Sequence, residues 1–363
     1  MFKPALDNPK TYSKLDKSKL YDSIVLFRDQ IIQAWTEVVN IAQIDHIQKA
    51  NNIIIAGMGG SAFAGHIVRA LDQAILKVPM EITSNYRLPA YVNNKSLVVI
   101  NSYSGNTDEA VSCLHDARAR HAKIFIVATG GKLATLATRH NLSSYIYDPV
   151  ANPAVQPRMG VGYAVAALLG LLTRADFLHI KDSEIQEVID YLHTLTPLYE
   201  RTVPTKTNPA KSLAKKIVGK QILIVAANHL SGAAHVLRNC FNENAKTYAA
   251  YHNLPELNHH LLEGMSFPAS LKQNMHILFI NSDLYPKVIQ DRLRLTQSIF
   301  NKVGYPTTVI KPQSASPLTQ VFEGLYFSLF LSYYTALLNN LDPAPIPWVD
   351  YFKEELNKNQ HKI

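Results

Sequence analysis

IIIAGMGGSAFAGHIVRAL, residues 53–71, runs from an apolar stretch through a glycine-rich turn into a helical pattern. The apolar run shows no alternation, which is how a strand covered on both faces of a parallel sheet reads. The pattern returns as LIVAANHLSGAAHVLRNCF, residues 223–241, with His66 against His235 and Arg69 against Arg238. VVINS at 98–102 likewise returns as LFINS at 278–282. A period this long implies duplication of a whole domain, since solenoid units run only about 20 to 50 residues. Within the first copy the spacing predicts strands at 52–56, 81–84, 97–100, 123–127 and 144–147, and helices at 62–71, 108–120 and 134–140. That alternation is the rhythm of a doubly wound parallel sheet.

Working outward, residues 20–44 read as one amphipathic helix, with Ile24, Ile31, Trp35 and Val38 near helical spacing. TVPTKTNPAK, residues 202–211, carries two prolines and three threonines and reads as a connection. The expected organisation is an N-terminal helical segment over 1–45, a first domain over 46–185, a helix and linker over 186–211, a second domain over 212–345, and a C-terminal helix over 346–363.

The 363 residues exceed one comfortable core, and 47% apolar with 18% charged residues is a globular composition. The net charge of +8 suits an anionic partner, but the 36 Lys and Arg are spread along the chain without a basic block interleaved with aromatics. A small phosphorylated metabolite fits that distribution better than nucleic acid. Cys113 and Cys240 form neither a disulfide framework nor a zinc spacing. The first twenty residues lack an apolar leader core, and no apolar run reaches the roughly twenty residues a bilayer span needs. The expectation is a cytoplasmic protein with no membrane partner.

Two turns could carry chemistry. GMGGSA, residues 57–62, follows the first strand and opens a helix, so backbone at Gly60 can approach a ligand and Ser61 can donate a hydrogen bond. NSYSGNTDEA, residues 101–110, crowds Ser102, Ser104 and Thr107 behind the third strand. Backbone N–H groups and hydroxyls converging on one spot form an anion site, and phosphate is the natural occupant. The first turn departs from the G-x-G-x-x-G dinucleotide fingerprint, and neither Ser61 nor Ser104 sits in G-x-S-x-G. His252, Glu256, His259 and His260 lack H-E-x-x-H spacing, and Pro255 disfavours one helix presenting two metal ligands.

The pair of turns resembles the SIS (sugar isomerase) fold, whose phosphosugar loop is written much like Ser102-Tyr103-Ser104-Gly105-Asn106-Thr107. With PRMGVGY at 157–163 and NENAKTYAAYHNLPELNHHLLEGM at 242–265, the chain resembles the bifunctional phosphoglucose/phosphomannose isomerase family, which has two SIS domains per chain. The resemblance implies two flavodoxin-like doubly wound α/β domains and an aldose–ketose isomerase of glucose 6-phosphate and mannose 6-phosphate, working through a cis-enediolate. Glu243, in E-N-x-K, matches the base that moves the carbon-bound proton. His259, in E-L-N-H, matches the ring-opening histidine, which in the family comes from the neighbouring subunit of a homodimer. Arg158 matches the arginine thought to stabilise the enediolate, and Lys353 matches a lysine of the last helix, with Lys358 and Lys362 close by. Gly60, Ser61, Ser102, Ser104 and Thr107 are the expected phosphate contacts. The chemistry calls for an acid/base, a carboxylate and cations near the developing oxyanion, and requires no metal and no cofactor. The chain departs from the family pattern at His260-Leu261 and at Ala344, where a threonine is often found. Two other readings remain: a SIS protein that binds a phosphosugar as a regulator, and a different sugar-phosphate isomerase on the same fold.

Overall fold

A computed structural model describes residues 4–41, 44–71 and 76–360. The first sheet has strands β1 (Asn52–Ala56), β2 (Met80–Thr83), β3 (Ser96–Ser102), β4 (Lys123–Ala128) and β5 (Ser143–Ile146), in the order β2-β1-β3-β4-β5. The second has β6 (Gln221–Ala226), β7 (Ala249–Asn253), β8 (Met275–Ile280) and β9 (Thr307–Ile310), in the order β7-β6-β8-β9. Every pairing is parallel. The second order repeats the first without its last strand, so the duplication read from residues 53–71 and 223–241 is a duplication of topology. In such sheets ligands bind beyond the carboxyl ends of the strands, where the order reverses; here that is between β1 and β3.

The copies meet through two helices, Phe63–Leu71 and Ser231–Glu243. The His66 ring stacks on His235 at 3.9 Å, Phe63 lies 6.3 Å from His235, and Gly232 backs onto Ile67. Contacts move backward along one helix as they move forward along the other, so the helices cross antiparallel. A β-carbon at position 232 would come 2.5 Å from the Ile67 α-carbon, which is why a glycine stands at the crossing. The crossing puts the start of Phe63–Leu71 at the same end as Glu243.

Helix Pro317–Leu338 is buried at every position from Leu318 to Leu337 and forms the spine of one continuous core. It has the length and composition of a membrane span, a feature hidden in the sequence because its tyrosines, serines and threonines interrupt the apolar run. The helix expected over 20–44 is two: Leu20–Val25 and Phe27–Val38. They serve different partners. The first packs on Pro317–Leu338 and the second mainly on Val161–Arg174, and Leu26 turns the chain between them.

Candidate active site

The two turns clasp each other. The Ser61 hydroxyl accepts from the Tyr103 backbone N–H at 3.0 Å, and the Asn101 side chain donates to the Ser61 carbonyl at 2.8 Å. Ser61 is thus buried with its oxygen held inward, while its own proton is committed to no described acceptor. Ser102 closes β3, and its hydroxyl lies 2.8 Å from that of Thr107. Thr107 stands at the N-cap of helix Asp108–Ala119, yet its side chain does not cap it, so the first-turn N–H groups stay open to an anion. Ser104 is exposed at the lip, with its hydroxyl accepting from Asn106 N–H at 3.3 Å. Gly105 sits at φ +67°, and a β-carbon there would lie 1.8 Å from the Gly130 carbonyl oxygen, so only glycine makes this loop.

Gly60 lies directly against the backbone of Pro157 and Arg158, which joins the phosphate-type turns to the arginine. The buried Gln30 holds that segment in place. Its amide donates to the Met159 and Ala151 carbonyls at 2.9 and 3.0 Å, and its oxygen accepts from Gly162 N–H at 3.1 Å. Arg158 is 1% exposed and fully engaged: Nε donates to Asn244 Oδ1 at 2.5 Å, Nη1 to Gln156 Oε1 at 2.9 Å, and Nη2 to the Pro343 and Ala344 carbonyls at 3.0 and 2.7 Å. Nη1 also stands 3.5 Å from a carboxylate oxygen of Glu243, the last residue of helix Ser231–Glu243. Elements from both copies therefore converge on one spot. The Glu243 side chain keeps 28% of its surface exposed, enough for a ligand to reach it. Burial pushes its pKa up, and Arg158, Lys353 and Lys246 pull against that rise.

Lys353 lies on the C-terminal helix Pro347–Gln360, close enough for its charge to act on Glu243. Lys358 pairs with Glu355 at 2.7 Å at the surface, and Lys362 lies outside the described residues. His259 does not join the cluster within the chain. It is exposed in the turn Glu256–His259, beyond the carboxyl end of β7, whereas Glu243 precedes β7 at the far end of its helix. A helix of 13 residues is about 20 Å long, and the two side chains stand at its opposite ends.

This arrangement has relatives. Residues 46–164 match the SIS domain family, and residues 206–356 match the bacterial phospho-glucose isomerase C-terminal SIS domain. A bifunctional phosphoglucose/phosphomannose isomerase from Caldicellulosiruptor bescii is 30% identical over 93% of this chain and 98% of its own length. The chain belongs to the bifunctional phosphoglucose/phosphomannose isomerase family. A member from Thermoplasma acidophilum is 26% identical over 85% of this chain and 90% of its own. The fold is that of a hypothetical protein from Thermus thermophilus, with a TM-score of 0.73 at 13% identity over 97% of this chain and 93% of that one.

Against the phosphoglucose/phosphomannose isomerase motifs, two residues of E-N-x-K have contacts that the motif reading left without a role. Asn244 is fully buried, receives the Arg158 Nε–H and donates to Ser332 Oγ at 3.1 Å. Lys246 Nζ donates to the Asn244, Asp342 and Pro343 carbonyls at 3.3, 3.2 and 3.1 Å. Burial and the neighbouring Arg158 lower its pKa to about 8. Both stand in the motif that points to Glu243, so the signal is present in the sequence; what spacing could not show is that the loop at 342–344 gathers Arg158 and Lys246 onto its carbonyls, with that of Pro343 shared. The carbonyl of Ala344, at the departure from the family pattern, accepts from Arg158, and a backbone contact is indifferent to the side chain there.

Proposed function

We propose that the protein interconverts glucose 6-phosphate, and mannose 6-phosphate, with fructose 6-phosphate as a homodimer in a reducing cytoplasm, where its free Cys113 and Cys240 stay buried. The observation that carries this reading is the Arg158–Glu243 contact: a carboxylate with a raised pKa, next to fixed cations, and joined to the hydroxyl-bearing turns where Gly60 lies against the Arg158 backbone. Ser61, Ser102, Ser104 and Thr107 hold the phosphate, with the Gly60 backbone alongside. Ionised Glu243 takes the proton from C2 of the open-chain aldose, so that the C2–H electron pair forms the C1=C2 double bond and O1 takes the negative charge; the same carboxyl then returns the proton to C1 as the O2 hydroxyl proton passes to O1, leaving C2 as the ketone. Arg158, Lys353 and Lys246 balance the negative charge that develops on O1 and O2. The two aldoses differ only in configuration at C2 and share one enediolate, so turnover of both requires that either face of C2 can be turned toward Glu243.

His259 opens the ring in the partner's site. The separation of His259 from Glu243 within one chain supports this, as do large apolar side chains left at the surface: Trp348 is 82% exposed, Phe267 81% and Phe352 64%. A coupled assay of the purified protein with EDTA present, run on each aldose phosphate, should show formation of fructose 6-phosphate. Binding without turnover would favour the regulator reading instead.

The pH profile has a second expected feature. Glu243 must be ionised, and its pKa is raised, so the acid limb of kcat/KM lies above pH 4.5. Lys246 must be charged, so activity falls again as pH rises through about 8. Lys246→Arg carries a charge that does not titrate there, and should keep its activity on the alkaline side. An unchanged alkaline limb would remove Lys246 from the charge balance.

A further inference from the structure

A cavity of about 780 Å³ lies not at Glu243 but at the other end of the crossed helices, within the size range of small-molecule sites. Its wall includes His66 and Arg69 from the first copy and Ser231, His235 and Asn253 from the second. The antiparallel crossing relates it to the first site. There the turn after β1 faces the end of helix Ser231–Glu243; here the turn after β6 faces the end of helix Phe63–Leu71.

The chemistry of the wall is that of an anion site with an apolar shelf. Arg69 is exposed and makes no hydrogen bond or ion pair with any described residue, and no described carboxylate lines the cavity. Behind it, Arg238 donates to His235 Nε2 at 2.9 Å. A guanidinium can only donate, so that ring nitrogen accepts and the imidazole is neutral. Burial, helped by the two arginines, lowers His66 to about 4 and His235 to about 3, so both rings are neutral near pH 7. Positive charge therefore stays with the guanidinium, while the stacked imidazoles, the Ser231 hydroxyl and the Asn253 amide offer polar edges and flat faces of the kind a sugar ring meets. The catalytic groups have no counterparts. Glu243 stands five residues after Arg238, and the residue five after Arg69 is Ala74. Arg158 follows Pro157, and Pro317, which opens helix Pro317–Leu338 at the cavity wall, is followed by Leu318.

We propose that this cavity is a second, non-catalytic site for a phosphorylated sugar, its phosphate paired with Arg69. The choice of ligand class rests on the isomerase reading above; the presence of a second site does not.

Titration calorimetry of Glu243→Gln with fructose 6-phosphate counts the sites without turnover. Two molecules per chain are expected. Arg69→Ala should weaken one class tenfold or more and leave the other, Arg69→Glu should abolish it, and Ser102→Ala with Thr107→Ala should remove the other class. Arg69 is at the surface, and matching melting temperatures verify that each variant folds. One molecule per chain, unaffected at Arg69, overturns the proposal, including the case in which a second copy of the chain fills the cavity. Inorganic phosphate is the second probe: an Arg69-dependent site that takes phosphate but not fructose 6-phosphate overturns the sugar assignment. If wild type fails to isomerise while two Arg69-sensitive and Ser102-sensitive classes persist, the isomerase reading falls and the second site stands.

Discussion

Glu243→Gln should lower kcat by roughly a thousandfold, the middle of the range for removing a positioned acid/base, with KM changed only a few-fold. Glutamine keeps the shape and a carbonyl that Arg158 Nη1, 3.5 Å away, can still approach. It cannot accept a proton from carbon. On the proposed reading the substrate's phosphate is held at the Ser102–Thr107 turn, on a different strand and helix, which is why binding should survive. The melting temperature should not fall, because a carboxylate with a raised pKa is not a net source of stability at neutral pH. Its raised pKa makes the protonated form the better-accommodated one, a contribution present below pH 4.5 and lost as pH rises through the folded value. Progress curves and thermal unfolding on the same preparations measure both. Comparable turnover in the variant would show that another group moves the proton.

Arg158→Met should be the most damaging single substitution for stability. The guanidinium is 1% exposed and ties the first copy to Asn244 of the second and to the 343–344 loop through directed hydrogen bonds. Methionine fills much of the volume but leaves Asn244 Oδ1 and the buried Ala344 carbonyl without their donors, leaves the Pro343 carbonyl to Lys246 alone, and leaves Glu243 without its nearest cation. Removing one partner of a buried charged network costs about 3–5 kcal/mol. Urea denaturation should show a lower midpoint, and a variant as stable as wild type would mean that water or Lys246 replaces the lost donors. Activity should fall too, so the unfolding midpoint, not the rate, is the deciding readout.

Much of the frame was legible because parallel strands buried on both faces are runs of apolar residues bounded by polar turns. β1 matches its expected span to the residue. β3 runs longer than expected because Asn101 and Ser102 read as turn residues, yet both are buried and in register with Val127 and Ala128 of β4. A polar residue that ends a strand beneath a ligand site looks, in sequence, like the loop. The helix pair over residues 20–38 was hidden for the opposite reason: its apolar spacing continues smoothly, and the break at Leu26 is dictated by which helix each half must cover.

At the site, the family resemblance pointed to Glu243 and Arg158, two residues that lie in different copies and meet only in three dimensions. Nothing in spacing says that Arg158 is buried, that Asn244 orients it, or that Lys246 shares its Pro343 acceptor. Those facts depend on the loop at 342–344 folding back from the far end of the chain. His259 illustrates a different gap. Its position is fixed within the chain, but on the proposed reading its partner in chemistry belongs to a second copy, which one sequence does not contain.

Each site, on this reading, draws Glu243 from one chain and His259 from the other. Glu243→Gln and His259→Ala, each inactive alone, should be unfolded together and refolded as mixed dimers. In a two-fold dimer half the mixed species are hybrids and each hybrid rebuilds one intact site, so about a quarter of wild-type activity should return. If hybrids form and no activity returns, the two residues serve the same site from the same chain, and sharing of sites between chains is wrong.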